Sequence, residues 1–406
     1  MSLGMIRALP AQRGDFARIN SRRSRHQSWL LRVDWVLLLA VLALSVLGAL
    51  LVWSATKQRQ EDVGADPQLY LKRHLVNLVI GIGLAIVVAM IDYRYLRAYA
   101  PIVYVASLVG LAAVLFVGTT INGAKAWIVV GFGFQLQPSE FVKVALVVLM
   151  AMILGEKRDD RRVGVVNTPS HGDVLLVLGV AALPGVLILA EPDFGMAIDV
   201  GIIVLGVLAV SGAPLRWVAG LILAGALVAF FVLQFGLLKP YQLDRLTSFA
   251  KSDSNVSSSG YNVDQAKTAI ASGGVLGKGL FHGPLTHGEF VPEQQTDFVF
   301  TVAGEELGFA GGAAIIGLFG IILWRGLSIA ARSHDSFGRL VAVGVVCWFS
   351  FQCFVNIGMT LGIMPVTGLP LPFVSYGGSA MFANLVAIGL LQNVYARSRD
   401  DDPYPA

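Results

Sequence analysis

The sequence predicts an all-α polytopic membrane protein: ten transmembrane helices, with a large loop between helices seven and eight. Two observations carry that reading. Only 14% of the 406 residues are charged and 55% are hydrophobic, whereas soluble domains carry about 25% charged residues. A water-facing surface cannot be built from so little charge, and the mean hydropathy is +0.70. The apolar residues are also gathered into repeated runs of roughly 20, the length that crosses a hydrocarbon core about 30 Å thick.

Along the chain, residues 1–33 form an arginine-rich tail, expected to be disordered and cytoplasmic. The first apolar run, Val36 to Val52, shows no small-residue cleavage site and reads as a retained span, not a signal peptide. Spans are expected at 34–54, 75–92, 99–118, 138–155, 174–190, 194–212, 217–237, 298–325, 338–361 and 379–396. Helices are the expected form because backbone polar groups cannot go unpaired in lipid. Residues 34–396 then make one membrane domain that includes the 238–296 loop, and 397–406 make a short C-terminal tail.

Orientation follows from the 30 Lys and Arg residues. With both termini placed in the cytoplasm, most of them fall on the cytoplasmic side, as the positive-inside rule requires. The 238–296 loop then lies outside the membrane, where ATP is absent. The net charge of +4 is scattered over connecting loops, so no nucleic-acid surface is expected. Cys347 and Cys353 sit on different faces of one span and form neither a disulfide framework nor a metal site.

Several polar groups stand where the apolar spans meet water. In "QLQPSEFVKVALVV", Pro138 suits the first turn of a helix, and Glu140 and Lys143 are i, i+3 neighbours. They form a local ion pair, or Lys143 lines a polar cavity, since an ionisable group at membrane depth costs roughly 2.5–3.5 kcal/mol and usually faces a bundle interior. Upstream, "INGAKAWIVVGFGFQLQP" is amphipathic and broken by glycines, with Lys125 and Trp127 near the outer surface. "EPDFGMAID" places Glu191 and Asp193 together, as a carboxylate pair or as caps of the sixth helix, and leaves Asp199 without a role. "GGVLGKG" lacks the Ser or Thr of a phosphate loop. It is either an anion-facing turn with Lys278 or a flexible one. In "VPEQQTDFVFTVAGEELGF", Thr296 or Asp297 is placed to cap the eighth helix, and Glu305 lies two turns deeper, where Asp297, Glu305 and Lys143 could share one cavity. "NIGMTLGIMPVTGLPLPFVSYGGSA" is broken by prolines and glycines, the pattern of a re-entrant segment.

These motifs, in order from about residue 34 to 396, resemble the shape, elongation, division and sporulation (SEDS) family of ten-span peptidoglycan glycosyltransferases. "AIASGGVLGKG" and "GLPLPFVSYGG" look more like its elongation branch than its division branch, while "EPD" leans toward the latter. Ala126 stands where a common family form has an arginine, leaving Lys125 as the nearest cation. The resemblance implies that Asp297 is the catalytic aspartate. It also implies that the substrate is lipid II, an undecaprenyl-pyrophosphate disaccharide-pentapeptide, used as donor and acceptor on the outer face of a bacterial cytoplasmic membrane. Implied partners are a class B penicillin-binding protein transpeptidase and the cell-wall elongation machinery.

Substrate contacts are expected from the polar residues of these motifs: Lys143, Lys125, Trp127, Gln137, Glu140, Gln265, Lys278, Glu293, Glu305, Ser375 and Tyr376. A divalent cation, Mg or Mn, is the one cofactor expected, with Asp297 either its ligand or a general base. The rival readings are a division-specific polymerase and a transporter that flips lipid II.

Overall fold

The computed structural model describes residues 32–121, 124–131, 134–158, 168–236, 242–243, 245 and 258–400. The expected N-terminal tail up to residue 31, most of the 238–257 part of the large loop and residues 401–406 of the expected C-terminal tail lie outside these. The elements are α1 (Trp35–Asp62), α2 (Leu69–Met90), α3 (Tyr93–Val117), β1 (Thr119–Ile121), β2 (Ala124–Gly131), β3 (Phe134–Leu136), α4 (Pro138–Arg158), α5 (His171–Ala190), α6 (Phe194–Val210) and α7 (Leu215–Gln234). After the loop come α8 (Ser258–Gly273), α9 (Pro284–His287), α10 (Val299–Glu306), α11 (Gly308–Arg332), α12 (Ser336–Thr360) and α13 (Gly378–Asp400). Nine of these helices are long and apolar enough to cross a membrane, and α6 is a shorter apolar tenth.

Carboxylates set several helix starts. Asp34, Asp92, Asp193 and Asp335 cap α1, α3, α6 and α12 by accepting from the backbone N–H of Leu37, Arg94, Met196 and Gly338. Each satisfies an orphan donor that lipid or protein interior would leave unpaired. Ser170 and Asp173 make a reciprocal capping box on α5. Pro138 opens α4, as the sequence suggests.

Helix α1 is longer than expected. Its 28 residues span about 42 Å, against about 30 Å of hydrocarbon. The overshoot carries Lys57, Arg59 and Glu61, and Arg59 reaches Glu289 in the large loop at 3.9 Å. Helix α6 has the opposite property. At 17 residues it covers only about 26 Å, the short end of what crosses the hydrocarbon. It packs between α4, α5 and α12, and α12 is buried along most of its length, including Trp348 and Phe349. No residue of α7 is buried, so that helix lies at the rim of the bundle.

Three expectations change. Residues 119–121, 124–131 and 134–136 form two antiparallel strand pairs, with Thr119 opposite Trp127 and Ile128 opposite Leu136. The β-branched "WIVV" run suits a pleated strand, an element that the amphipathic, glycine-broken reading does not name. Second, the expected single span 298–325 is two helices, broken at Leu307–Gly308. Gly308 adopts φ +66°, and the chain 274–279 is stitched onto the break: the N–H of Lys278 and Gly279 donate to the carbonyls of Glu305 and Glu306, and those of Phe309 and Ala310 donate to Gly274 and Val275. Third, α13 continues to Asp400.

Residues 361–377 hold no helix, and Leu369, Leu371, Phe373 and Val374 are buried. A Cβ on Gly48, midway along α1, would lie 2.6 Å from the Val374 backbone. The segment therefore dips to the middle of α1, as a re-entrant reading expects, and protein rather than lipid surrounds it.

The stitch at the helix break depends on backbone approach. Gly277 has φ +80°, and a Cβ there would lie 2.1 Å from the Glu306 carbonyl oxygen. Gly277→Ala is expected to destabilise the detergent-solubilised protein by about 1–3 kcal/mol, read as a lower thermal midpoint. Gly83→Ala, where an added methyl meets open space, should leave the midpoint unchanged or slightly higher.

Candidate active site

The deepest polar feature is an enclosed ion cluster. Lys143 on α4 has no exposed surface, and its Nζ lies 2.8 Å from Glu140 Oε2 and 3.3 Å from Asp199 Oδ2 on α6. The same ammonium sits 4.4 Å from the Trp348 ring centre on α12, a cation–π contact that strengthens when water is excluded. The local Glu140–Lys143 pair expected from spacing is present, and Asp199 gains a partner. Lys143 is closed off, however, and does not form the wall of an open cavity. One ammonium thus faces two carboxyl groups.

Above this cluster lies the α5–α6 connection. Glu191 is fully buried, and its carboxylate oxygens lack protein hydrogen-bond partners among the described residues. Burial, with the neighbouring Asp193 charge, pushes it up to about 8. Asp193 caps α6 as expected and also accepts from Gln137 Nε2 at 3.3 Å. Burial raises its pKa, against the pull of the Met196 N–H; Glu140 raises it too, while Lys143 and Arg245 pull it down. Asp193 thus feels both the closed cluster below and the loop cation above.

Asp297 stands on the loop side of this stack and keeps part of its surface open. It does not cap the next helix, nor does Thr296: the residue before α10 is Phe298, and no side chain caps that end. The turn is instead built on Glu293, whose φ is +53° and whose carbonyl accepts from the N–H of Thr296 and Asp297 at 3.1 Å each. Asn356 Nδ2 donates 2.8 Å bonds to the carbonyls of Asp297 and Leu369, fixing the turn to α12 and the re-entrant segment. Burial lifts the Asp297 carboxyl to about 6; Glu293 adds to the rise, and Arg245 opposes it. Gly368, at φ +76°, leaves the space that both groups share: a Cβ there would lie 3.5 Å from Asp297 Oδ2 and 3.9 Å from Arg245 Nη1.

The remaining expected contacts fall into two groups. Gln137 and Glu140 join the stack described above, and Tyr376 lies beside it, its N–H donating to the Gln295 carbonyl and its ring packing on Tyr70. Glu293 shapes the Asp297 turn and accepts from Gln295 and Thr296. The others are used elsewhere. Lys125 Nζ donates to the carbonyls of Leu115 and Phe116 at the end of α3, a helix-terminus role that matches a cation to the negative end of the dipole. Trp127 is paired along β2. Ser375 closes a turn with Leu371. Lys278 is exposed, and its neighbouring glycines serve the stitch to α10 and not an anion. Gln265 is half-buried on α8. Glu305 does not share a cavity with Lys143, because its carboxylate is taken up by α9.

Sequence reasoning missed Arg245, Asn356 and Gly368. Arg245 lies in the long loop, where basic residues say little about orientation, and only the fold brings it to Asp297. Among the described residues no three His, Cys, Asp or Glu side chains converge on a metal position. The described residues alone build no cage for the expected divalent ion. One held here would rest on Asp297 and substrate phosphate oxygens, as Mg²⁺ sites often do.

A sequence profile of the FtsW, RodA and SpoVE proteins, described as cell cycle protein, matches residues 34–400. The chain belongs to this family. The peptidoglycan glycosyltransferase MrdB of Escherichia coli K12 is 36% identical over 369 residues, which cover 90% of this chain and 94% of MrdB. Among solved structures, a chain of a peptidoglycan synthase complex that coordinates polymerization and crosslinking matches with a TM-score of 0.73 at 34% identity, over 91% of this chain and 99% of that one. The rod shape determining protein RodA of Thermus thermophilus matches at 0.64 and 33% identity, over 91% and 98%. This is the family that the sequence motifs resemble.

The closed cluster makes a stability prediction. Lys143→Met strands Glu140 and Asp199 as unpaired buried carboxylates and is expected to cost about 3–5 kcal/mol. Adding Asp199→Asn removes one stranded charge, so the double variant should melt at a higher temperature than Lys143→Met alone.

Proposed function

We propose that this chain is a peptidoglycan glycosyltransferase that polymerises lipid II into β-1,4-linked strands, with Asp297 as general base. The observation that carries the reading is the Asp297 environment: a part-open carboxylate with a raised pKa beside a guanidinium, on a turn pinned from two sides. The reaction has two needs. The acceptor sugar hydroxyl must lose a proton as its oxygen attacks the donor's anomeric carbon. The bond from that carbon to the lipid pyrophosphate must break, with the electron pair leaving on the pyrophosphate oxygen.

Asp297 takes the acceptor proton. Arg245 faces the pyrophosphate, where a planar fork of donors matches phosphate oxygens and offsets the charge that grows as the bond breaks. Because the donor is α-linked and the product β-linked, a single inverting displacement suffices, and no covalent enzyme intermediate is needed. The loop face carrying Asp297 is the outer face of the cytoplasmic membrane and both termini are cytoplasmic, in keeping with the distribution of Lys and Arg. A class B penicillin-binding protein transpeptidase acts beside the chain, a reading supported by its likeness to a chain of a peptidoglycan synthase complex. Its likeness to MrdB and RodA supports service in cell elongation.

The test is polymerisation of labelled lipid II by the purified full-length chain with its transpeptidase. Asp297→Asn should lower the rate by about 10²–10⁴-fold, the usual worth of a positioned base, without loss of lipid II binding. Glycan chains made at the wild-type rate by a folded Asp297→Asn protein would refute the assignment. The pH profile is a second check. A base must be deprotonated to act, so the rate should rise with pH, reach half its maximum near the Asp297 value of about 6, and stay level above it. Raising pH through that window also charges a partly buried carboxylate, so the same change should lower stability slightly.

A further inference from the structure

Glu305 has no exposed surface, and its two oxygens are occupied by one short helix. Oε1 accepts from the Leu285 N–H at 2.9 Å, and Oε2 accepts from the Thr286 N–H at 2.8 Å and the Thr286 hydroxyl at 2.6 Å. These are the orphan donors of the first turn of α9. The residue before α9 is Gly283, which has no side chain to cap them. A Cβ there would lie 2.8 Å from Glu305 Oε2, so a larger residue would push on that carboxylate. A carboxylate from α10 therefore does the capping work that a local Ser or Asp usually does.

The helix passes this restraint on. The Thr286 carbonyl accepts from Gln294 Nε2 at 2.7 Å, and Gln294 is buried. Its neighbour Glu293 is the residue whose carbonyl holds the N–H of Asp297. Next to Glu305, Glu306 accepts from Ser54 on α1 at 2.6 Å, so the base of the chain of contacts is tied to a long membrane helix. From Glu305 to Asp297 each link is a hydrogen bond or a single peptide step.

We propose that Glu305 is a positioning residue for glycosyl transfer, which through α9 and Gln294 sets where the Glu293 turn presents Asp297. The proposal rests on the reading of Asp297 as the base. A carboxylate suits the task because it accepts all three donors and offers none. An amide in its place turns an NH₂ toward one set of donors and loses those bonds. Displacing a reacting group by about 1 Å can cost roughly 10²-fold in rate, so a loosened turn should appear in kcat. Lipid II binding, which Glu305 does not touch, should be spared.

The experiment measures kcat and KM for labelled lipid II with the full-length chain and its transpeptidase, in Glu305→Gln, Gln294→Leu and Asp297→Asn. Expected for Glu305→Gln and Gln294→Leu is a fall in kcat of about 10- to 100-fold with KM within about twofold, the signature of an interaction felt only in the transition state. Their double variant should be no slower than the worse single, because both cut one chain of contacts. If Glu305→Gln does not fold, Thr286→Val is read instead: it removes only the hydroxyl donor and should lower kcat several-fold, with Thr286→Ser restoring it. Wild-type kcat in Thr286→Val and Gln294→Leu overturns the proposal. So does a Glu305→Gln protein with normal kcat and raised KM, which would put Glu305 on the substrate. Asp297→Asn separates the two ideas. Activity surviving that change overturns the base assignment, whereas a dead Asp297→Asn beside fully active Glu305→Gln overturns the positioning role alone.

Discussion

One ammonium group, at Lys143, ties three helices together where no water reaches. Its partners Glu140 and Asp199 come from α4 and α6, and Trp348 from α12. Each carboxylate would be costly to bury alone, so the three helices are bound to one arrangement. That arrangement holds α6 at one height against α4 and α12. The height of α6 then places Asp193, whose side chain caps the helix while meeting Gln137. The chemistry proposed for Asp297 is one step further up the same stack.

Above the ion cluster the structural currency changes from charge to backbone. The 274–279 segment lies against the α10–α11 break through carbonyl and N–H groups, with glycines where side chains would collide. The re-entrant segment meets α1 at Gly48 and α6 at Gly195 in the same way. Such contacts have no side-chain rotamers to absorb small errors, and they fix distances more tightly than an apolar interface of similar area. A rigid setting of this kind suits a catalytic carboxylate, which has to be held within a fraction of an ångström of its target.

Much of the architecture was legible in the sequence, because lipid imposes a strict code of apolar length and basic-residue placement. Nine of the ten apolar runs are single helices here and the 298–325 run is two, with boundaries shifted by several residues at α1, α2, α3, α11 and α13. The Lys143–Glu140 pair followed from i, i+3 spacing, and the Asp193 cap from its position before an apolar run. What failed depended on long-range contact. The glycines near Lys278 could be read as an anion-binding turn, since only the fold shows Glu305 and Glu306 pressing against them. Glu305 two turns beyond Asp297 implied a shared face, an inference that presumes an unbroken helix. Asp297 lies in the turn before that helix starts at Val299, and α10 sends Glu305 to α9. Arg245 was invisible for the opposite reason: nothing local distinguishes it from any other loop cation.

The re-entrant stretch at 361–377 also constrains the order in which the protein is made. A helix can enter the bilayer alone, because its backbone bonds are internal. This stretch cannot. Its backbone is paired with Asn356, Gln295 and the loop residue Arg245, partners that lie on other parts of the chain and must already be in place. Insertion of the spans therefore comes first and the docking of this segment afterwards. Since Gly368 and the Asn356 contact to Leu369 belong to that docking, the surroundings of Asp297 are complete only once the segment is in place. On the proposed role of Asp297, a chain in which this segment has not docked lacks the setting that the reaction needs.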